Sequence, residues 1–128
     1  MEDLRKLGLG FRDKRVYNTT KMIKCGEVKI EELAKIKELE SLKAELLKLD
    51  GVGEKVADCV MLFSNLRRLD AFPVDVWVRR VMNELYIKSD DEKKLNNDYI
   101  RKIAEEKYEN LAGIAQQYLF YWRREKGA

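Results

Sequence analysis

The chain has 128 residues, 45% hydrophobic and 38% charged, with 26 Lys+Arg against 23 Asp+Glu for a net charge of +3. That is one domain's worth of chain, apolar enough to build a core, and its small positive excess permits a polyanionic partner without demanding one. The absence of histidine excludes Ser-His-Asp triads and His-ligated metals, and two cysteines without Cys-x-x-Cys spacing, Cys25 and Cys59, point away from zinc clusters, iron–sulfur clusters and a disulfide framework.

A single proline and long alternation of charged and apolar residues predict an all-α helical bundle, one domain over 1–128. The opening stretch to Arg12 reads like the interior of a domain. A helix is expected over Asp13–Cys25, with Val16, Thr20 and Ile23 inward and Gly26 ending it at the C′ position. A short helix near Ile30–Leu39 follows, then one over Glu40–Lys48 with Leu42, Leu46, Leu47 and Leu49 as its apolar positions. Asp50-Gly51-Val52-Gly53 breaks the pattern. The next helix is expected over Glu54–Asn65, with Val56, Ala57, Val60, Met61 and Phe63 inward. Pro73 makes Phe72 extended, and Asp75 takes the N-cap position of a helix over Val76–Tyr86. Residues 87–97 read as a polar loop, and helices over Asp98–Tyr108 and Leu111–Lys126 complete the chain. No apolar run approaches the roughly 18 residues of a membrane span, and no signal pattern opens the chain. A reduced, cytoplasmic setting is expected.

The short hairpin Leu49-Asp50-Gly51-Val52-Gly53 has a chemical use. Without side chains at 51 and 53, the amides of Gly51, Gly53 and Val56 can approach a ligand closely. They lie where a helix begins, where unpaired N–H groups and the helix dipole favour an anion such as a DNA phosphate. Taken alone, the glycines fit a tight helix–helix turn equally well. Lys55 stands in the first turn of that helix, and Cys59 follows on the same face one turn later. Taken alone, Lys55 is a solvated charge, Asp75 a plain cap and Cys59 a small core residue.

The combined string, Leu49-Asp50-Gly51-Val52-Gly53-Glu54-Lys55-Val56-Ala57-Asp58-Cys59 followed by Phe72-Pro73-Val74-Asp75-Val76, resembles the helix-hairpin-helix plus Gly/Pro…Asp signature of the DNA glycosylase superfamily. The lysine and the lack of a C-terminal four-cysteine set point to its 8-oxoguanine glycosylase/AP lyase branch. The resemblance implies base-excision repair by a bifunctional glycosylase and lyase, with Lys55 the nucleophile that forms a Schiff base and Asp75 its partner. It implies that Cys59, Gln116 and Phe120 line the base pocket. The two helix α-face neighbours Gln116 and Phe120 offer an amide for a Watson–Crick edge and a stacking ring. Phe11 and Arg12 match the family loop that enters the duplex at the lesion, Phe11 as wedge and Arg12 toward the orphaned cytosine. With Gly51, Gly53 and Val56 they make the expected DNA-binding set. The resemblance also suggests a monovalent cation on the carbonyls of Leu47, Leu49 and Val52, and no other cofactor. The implied partner is double-stranded DNA with a damaged base or abasic site, bound by a monomer in the cytoplasm, on the nucleoid in a prokaryote. The family fold has two helical subdomains, and its N-terminal part is not matched here. Lys14, Arg15, Arg79 and Arg80 read as phosphate contacts or as solvated helix charges, and Trp77, Tyr118, Tyr121 and Trp122 as packing. Two other readings compete: a non-catalytic helix-hairpin-helix DNA-binding module, and a helical scaffold whose motif is idle. The pair Lys55 and Asp75 separates them from the enzyme, because a pure binder needs neither.

Overall fold

The structure, a computed structural model, describes residues 1–126. The described residues form helices and connecting turns, with no strand among them. The chain gathers into two compact units, Met1–Ala57 and a second from Asp58 onward.

The first unit holds α1 (Glu2–Arg5), a 3-10 turn at Gly10–Arg12, α2 (Asp13–Lys24), α3 (Ile30–Leu33), α4 (Leu39–Leu47) and the first turn of α5 (Glu54–Phe63). Helix α2 stops where Gly26 adopts φ +82°, and the Glu27 amide donates to the Met22 carbonyl at 3.0 Å, the six-to-one bond of a glycine C′ cap. Helix α3 is a single turn rather than the ten residues expected, with Leu33 buried. Leu42 and Leu46, one turn apart on α4, are buried, as are Val28 and Leu33. Expected inward faces also fail here, and Val56 at the start of α5 is exposed too. Helix α2 has no buried residue, so Val16 and Thr20 stand exposed instead of facing a core. Leu47 also stays exposed, because the helix stripe that buries Leu42 and Leu46 turns it outward.

The second unit holds the rest of α5, then α6 (Val76–Met82), a π turn at Asn83–Ile87, a 3-10 turn at Glu92–Lys94, α7 (Asn97–Tyr108) and α8 (Ala112–Lys126). Its core gathers Phe72, Val74, Val78, Val81, Met82, Ile100 and Ala104. Helix α5 ends at Phe63, short of the expected Asn65, as the Arg68 amide folds back onto the Met61 carbonyl at 2.8 Å; Phe63 is left exposed. The connection that follows carries Ala71, Phe72, Pro73 and Val74 through the interior. A buried, extended backbone outside any sheet must find other partners for its polar groups, and α8 supplies them. The Gly113 amide donates to the Leu69 carbonyl at 2.7 Å, and Gln116 Nε2 donates to the Pro73 carbonyl at 3.0 Å. A Cβ at Gly113 would lie 2.5 Å from the Ala71 carbonyl oxygen, so only glycine lets the helix approach this closely.

Further contacts fix the remaining elements. Arg101 on α7 grips the buried Asp58 carboxylate on α5, Nε at 2.9 Å and Nη2 at 2.7 Å. Arg79 donates to the Leu95 carbonyl and to the Asn97 side chain, and Arg80 to Glu92 at 3.2 Å. These two arginines hold the 92–97 segment. Tyr118, Tyr121 and Trp122, expected to pack, are exposed on α8. No described helix is long and apolar enough to cross a membrane.

Candidate functional site

The hairpin is built from the end of α4 upward. The Leu49 amide donates to the Leu46 carbonyl and the Val52 amide to the Leu49 carbonyl, each at 3.2 Å, so the chain turns at once after the helix. Gly51 sits at φ +84°, the left-handed region that glycine enters without strain. Gly53 uses no such conformation; a Cβ there would meet nothing within 4 Å, and its value is the open space it leaves. Its carbonyl accepts the Ala57 amide at 2.9 Å and so begins α5.

All five residues expected to meet DNA line one open groove in the first unit. Phe11, Arg12, Gly51, Gly53 and Val56 share a cavity of about 830 Å³ with Arg15 and Asp50. Phe11 is 74% exposed, as a wedge must be, and the Arg12 guanidinium lies 4.7 Å from its ring centroid. Arginine over an aromatic face orders both side chains. Lys55 is exposed in the first turn of α5, at the positive end of the helix dipole.

In the second unit, Asp75 is the N-cap of α6, its Oδ1 accepting from the Val78 amide at 2.8 Å. Gln116 is 4% exposed; its Nε2 is bound to the Pro73 carbonyl, and its Oε1 accepts from Gln117. One amide hydrogen and one lone pair of Gln116 are left over for any further partner. Phe120 packs half-buried against the core, with the Arg124 guanidinium 5.2 Å from its ring centroid. Cys59 is half-buried on α5. Of the three carbonyls read as cation ligands, that of Leu49 already accepts the Val52 amide. Its second lone pair remains open to a further partner.

Sequence reading missed the bracing of the hairpin. Asn18 donates to Asp50 Oδ2 at 2.8 Å, Arg15 to Oδ1 at 3.4 Å, and the Thr19 hydroxyl to the Asp50 carbonyl at 2.7 Å. The available signal was a spacing: residues 15, 18 and 19 share one face of a helix.

No protein-family model matches the chain. It is 34% identical over 125 residues to a probable N-glycosylase/DNA lyase of Methanothermobacter thermautotrophicus, covering 98% of this chain and 38% of that protein. It is 35% identical over 126 residues to the N-glycosylase/DNA lyase OGG1 of Arabidopsis thaliana, covering 93% and 34%. Among solved structures, it matches the Clostridium acetobutylicum 8-oxoguanine glycosylase/lyase bound to duplex DNA with cytosine opposite 8-oxoguanine, at 41% identity and a TM-score of 0.81, over 93% of this chain and 39% of that one. It matches MBOgg1 in complex with a low-affinity DNA ligand at 37% identity and a TM-score of 0.87, over 99% and 42%. The chain thus spans between 34% and 42% of the length of these four proteins. Likeness in sequence and in fold runs along nearly the whole chain, which has the helix-hairpin-helix fold of the 8-oxoguanine glycosylase/DNA lyases it resembles, each matched over less than half of its own length.

Proposed function

We propose that this chain carries out base-excision repair on duplex DNA, as a glycosylase and AP lyase acting on 8-oxoguanine. The observation that carries the reading is the groove itself: Phe11, Arg12, Gly51, Gly53 and Val56, from two distant stretches of sequence, line one cavity beside the helix that bears Lys55. Phe11 would enter the base stack, Arg12 would reach the orphaned base, and the amides of Gly51, Gly53 and Val56 would hold a phosphate.

In the proposed reaction the Lys55 amine attacks the sugar C1′. The C1′–N bond breaks, and the base leaves with the bonding pair and takes up a proton. Ring opening gives a Schiff base between Lys55 and the sugar. Loss of a C2′ proton then expels the 3′ phosphate, and water releases the lysine. The Asp75 carboxylate would stabilise the positive charge that grows on the sugar; its cap to Val78 fixes one oxygen and leaves the other for this task. Cys59, Gln116 and Phe120 are the proposed base pocket, and Leu47, Leu49 and Val52 the proposed carbonyl ligands of a monovalent cation, which would set positive charge beside the phosphate. The proposed partner is damaged double-stranded DNA, met by a monomer in the cytoplasm.

Borohydride trapping tests the reading. The protein is mixed with duplexes that carry 8-oxoguanine opposite cytosine, or an abasic site, and the Schiff base is reduced to a stable cross-link. A covalent complex is expected with both. Duplex binding without any cross-link would make the chain a non-catalytic helix-hairpin-helix module.

A further inference from the structure

We infer that Asp50 is a positioning residue for DNA binding: an acidic side chain in a polyanion groove that strengthens binding because it ties the hairpin to α2. The inference rests on reading this groove as a duplex-binding face. Electrostatics alone would put no carboxylate there, since like charges repel across a phosphate contact. Yet Asp50 lines the groove beside Gly51 and Gly53.

Its contacts give the reason. Asn18 holds Oδ2 at 2.8 Å, Arg15 approaches Oδ1 at 3.4 Å, and the Thr19 hydroxyl holds the main-chain carbonyl at 2.7 Å. All three come from one face of α2. The Arg15 stem lies across the turn, so close that a Cβ on Gly51 would be 2.8 Å from Arg15 Cδ. The 3-10 turn that carries Phe11 and Arg12 runs directly into the same helix at Asp13. Helix α2 is therefore a common base for the wedge, the arginine and the phosphate-facing amides. With Asp50 tethered, these groups are ordered before DNA arrives; without it, their ordering must be met from binding energy. The Arg15 guanidinium meanwhile offsets the charge of Asp50. The pair is partly exposed, 56% and 35% at the two side chains, and such pairs contribute little to stability. The effect therefore belongs to affinity rather than to folding.

The test is fluorescence anisotropy with an 8-oxoguanine·cytosine duplex, together with amide hydrogen exchange and thermal melting of the free protein. Asp50→Ala should weaken binding about tenfold, leave the melting temperature nearly unchanged, and speed exchange at the Val52 amide. Asp50→Asn should recover most of the loss, because its side-chain oxygen still accepts from Asn18. Arg15→Met should weaken binding in the wild-type background and have much less effect beside Asp50→Ala, the signature of coupled residues. Binding by Asp50→Ala as tight as wild type, or tighter, overturns the inference and leaves the DNA-binding reading intact. An Asp50→Asn protein as weak as Asp50→Ala also overturns it. A wild-type chain that binds no duplex overturns both.

Discussion

Gln116 on α8 donates its side-chain amide to the carbonyl of Pro73, 3.0 Å away and two residues before Asp75. One buried side chain thus anchors the segment that delivers the cap of α6, and the same residue is the proposed reader of the base edge. Its amide orientation follows from the bond, with nitrogen toward Pro73 and oxygen toward Gln117.

Gln116→Leu should therefore act twice. Leaving the Pro73 carbonyl without its partner should destabilise the fold by roughly 1–3 kcal/mol, measured by denaturant unfolding. Excision of 8-oxoguanine should fall more steeply than cleavage at an abasic site, which offers no base to read. Equal losses on both substrates would confine Gln116 to structure.

Lys55→Gln should abolish borohydride trapping. Duplex affinity should stay within about twofold, because Lys55 is one cation among 26. A mutant that still cross-links would take Lys55 out of the chemistry.

At Gly113 the smallest added side chain should be harmful. A methyl group would meet two carbonyl oxygens, of Ala71 at 2.5 Å and Leu69 at 2.7 Å, and Leu62 Cδ1 at 2.6 Å. Backbone on that scale cannot swing aside as a flexible side chain does. Gly113→Ala should destabilise the protein by about 2 kcal/mol or more, despite the better helix propensity of alanine. A melting temperature at or above wild type would show that the seam yields.

Alkaline conditions offer a fourth test. Burial, then the hydrogen bond with the Tyr86 hydroxyl and the charge on Tyr86, push the Tyr108 phenol well above its ordinary value near 10. The folded state then keeps a proton that the unfolded chain has lost, so stability is full below pH 10 or so and falls as pH rises beyond it. Tyr108→Phe should flatten that decline relative to wild type in pH-dependent melting. Parallel profiles for the two proteins would remove Tyr108 as its source.

Local signals in the sequence were legible where one residue type decides one conformation. Gly26 ends α2, Asp75 caps α6, and Gly51 turns the hairpin, each through its own backbone or side-chain chemistry. Left-handed residues without glycine, such as Lys88 at the end of the π turn and Glu109 after α7, gave no such signal, since nothing in a lysine or glutamate side chain favours a positive φ. The face of α2 was misread for a related reason. An apolar pattern gives the side of a helix that is greasy, and Val16 uses that side to line a groove rather than to fill a core. The five residues proposed to meet DNA could be picked out because the chemistry that singles them out is local, and they line one groove. The tether of Asp50 could not, because it joins positions more than 30 apart in the chain.

The clasp between Asp58 and Arg101 responds to heat in its own way. Its carboxylate side chain is only 3% exposed and its guanidinium 14%, so both ions gave up most of their hydration to meet. Ionic hydration weakens as water warms, so the penalty for burying the pair shrinks with temperature. Apolar burial gains little more over the same range. This link between α5 and α7 should thus carry a growing share of the second unit's stability near its melting point, and matter least in the cold.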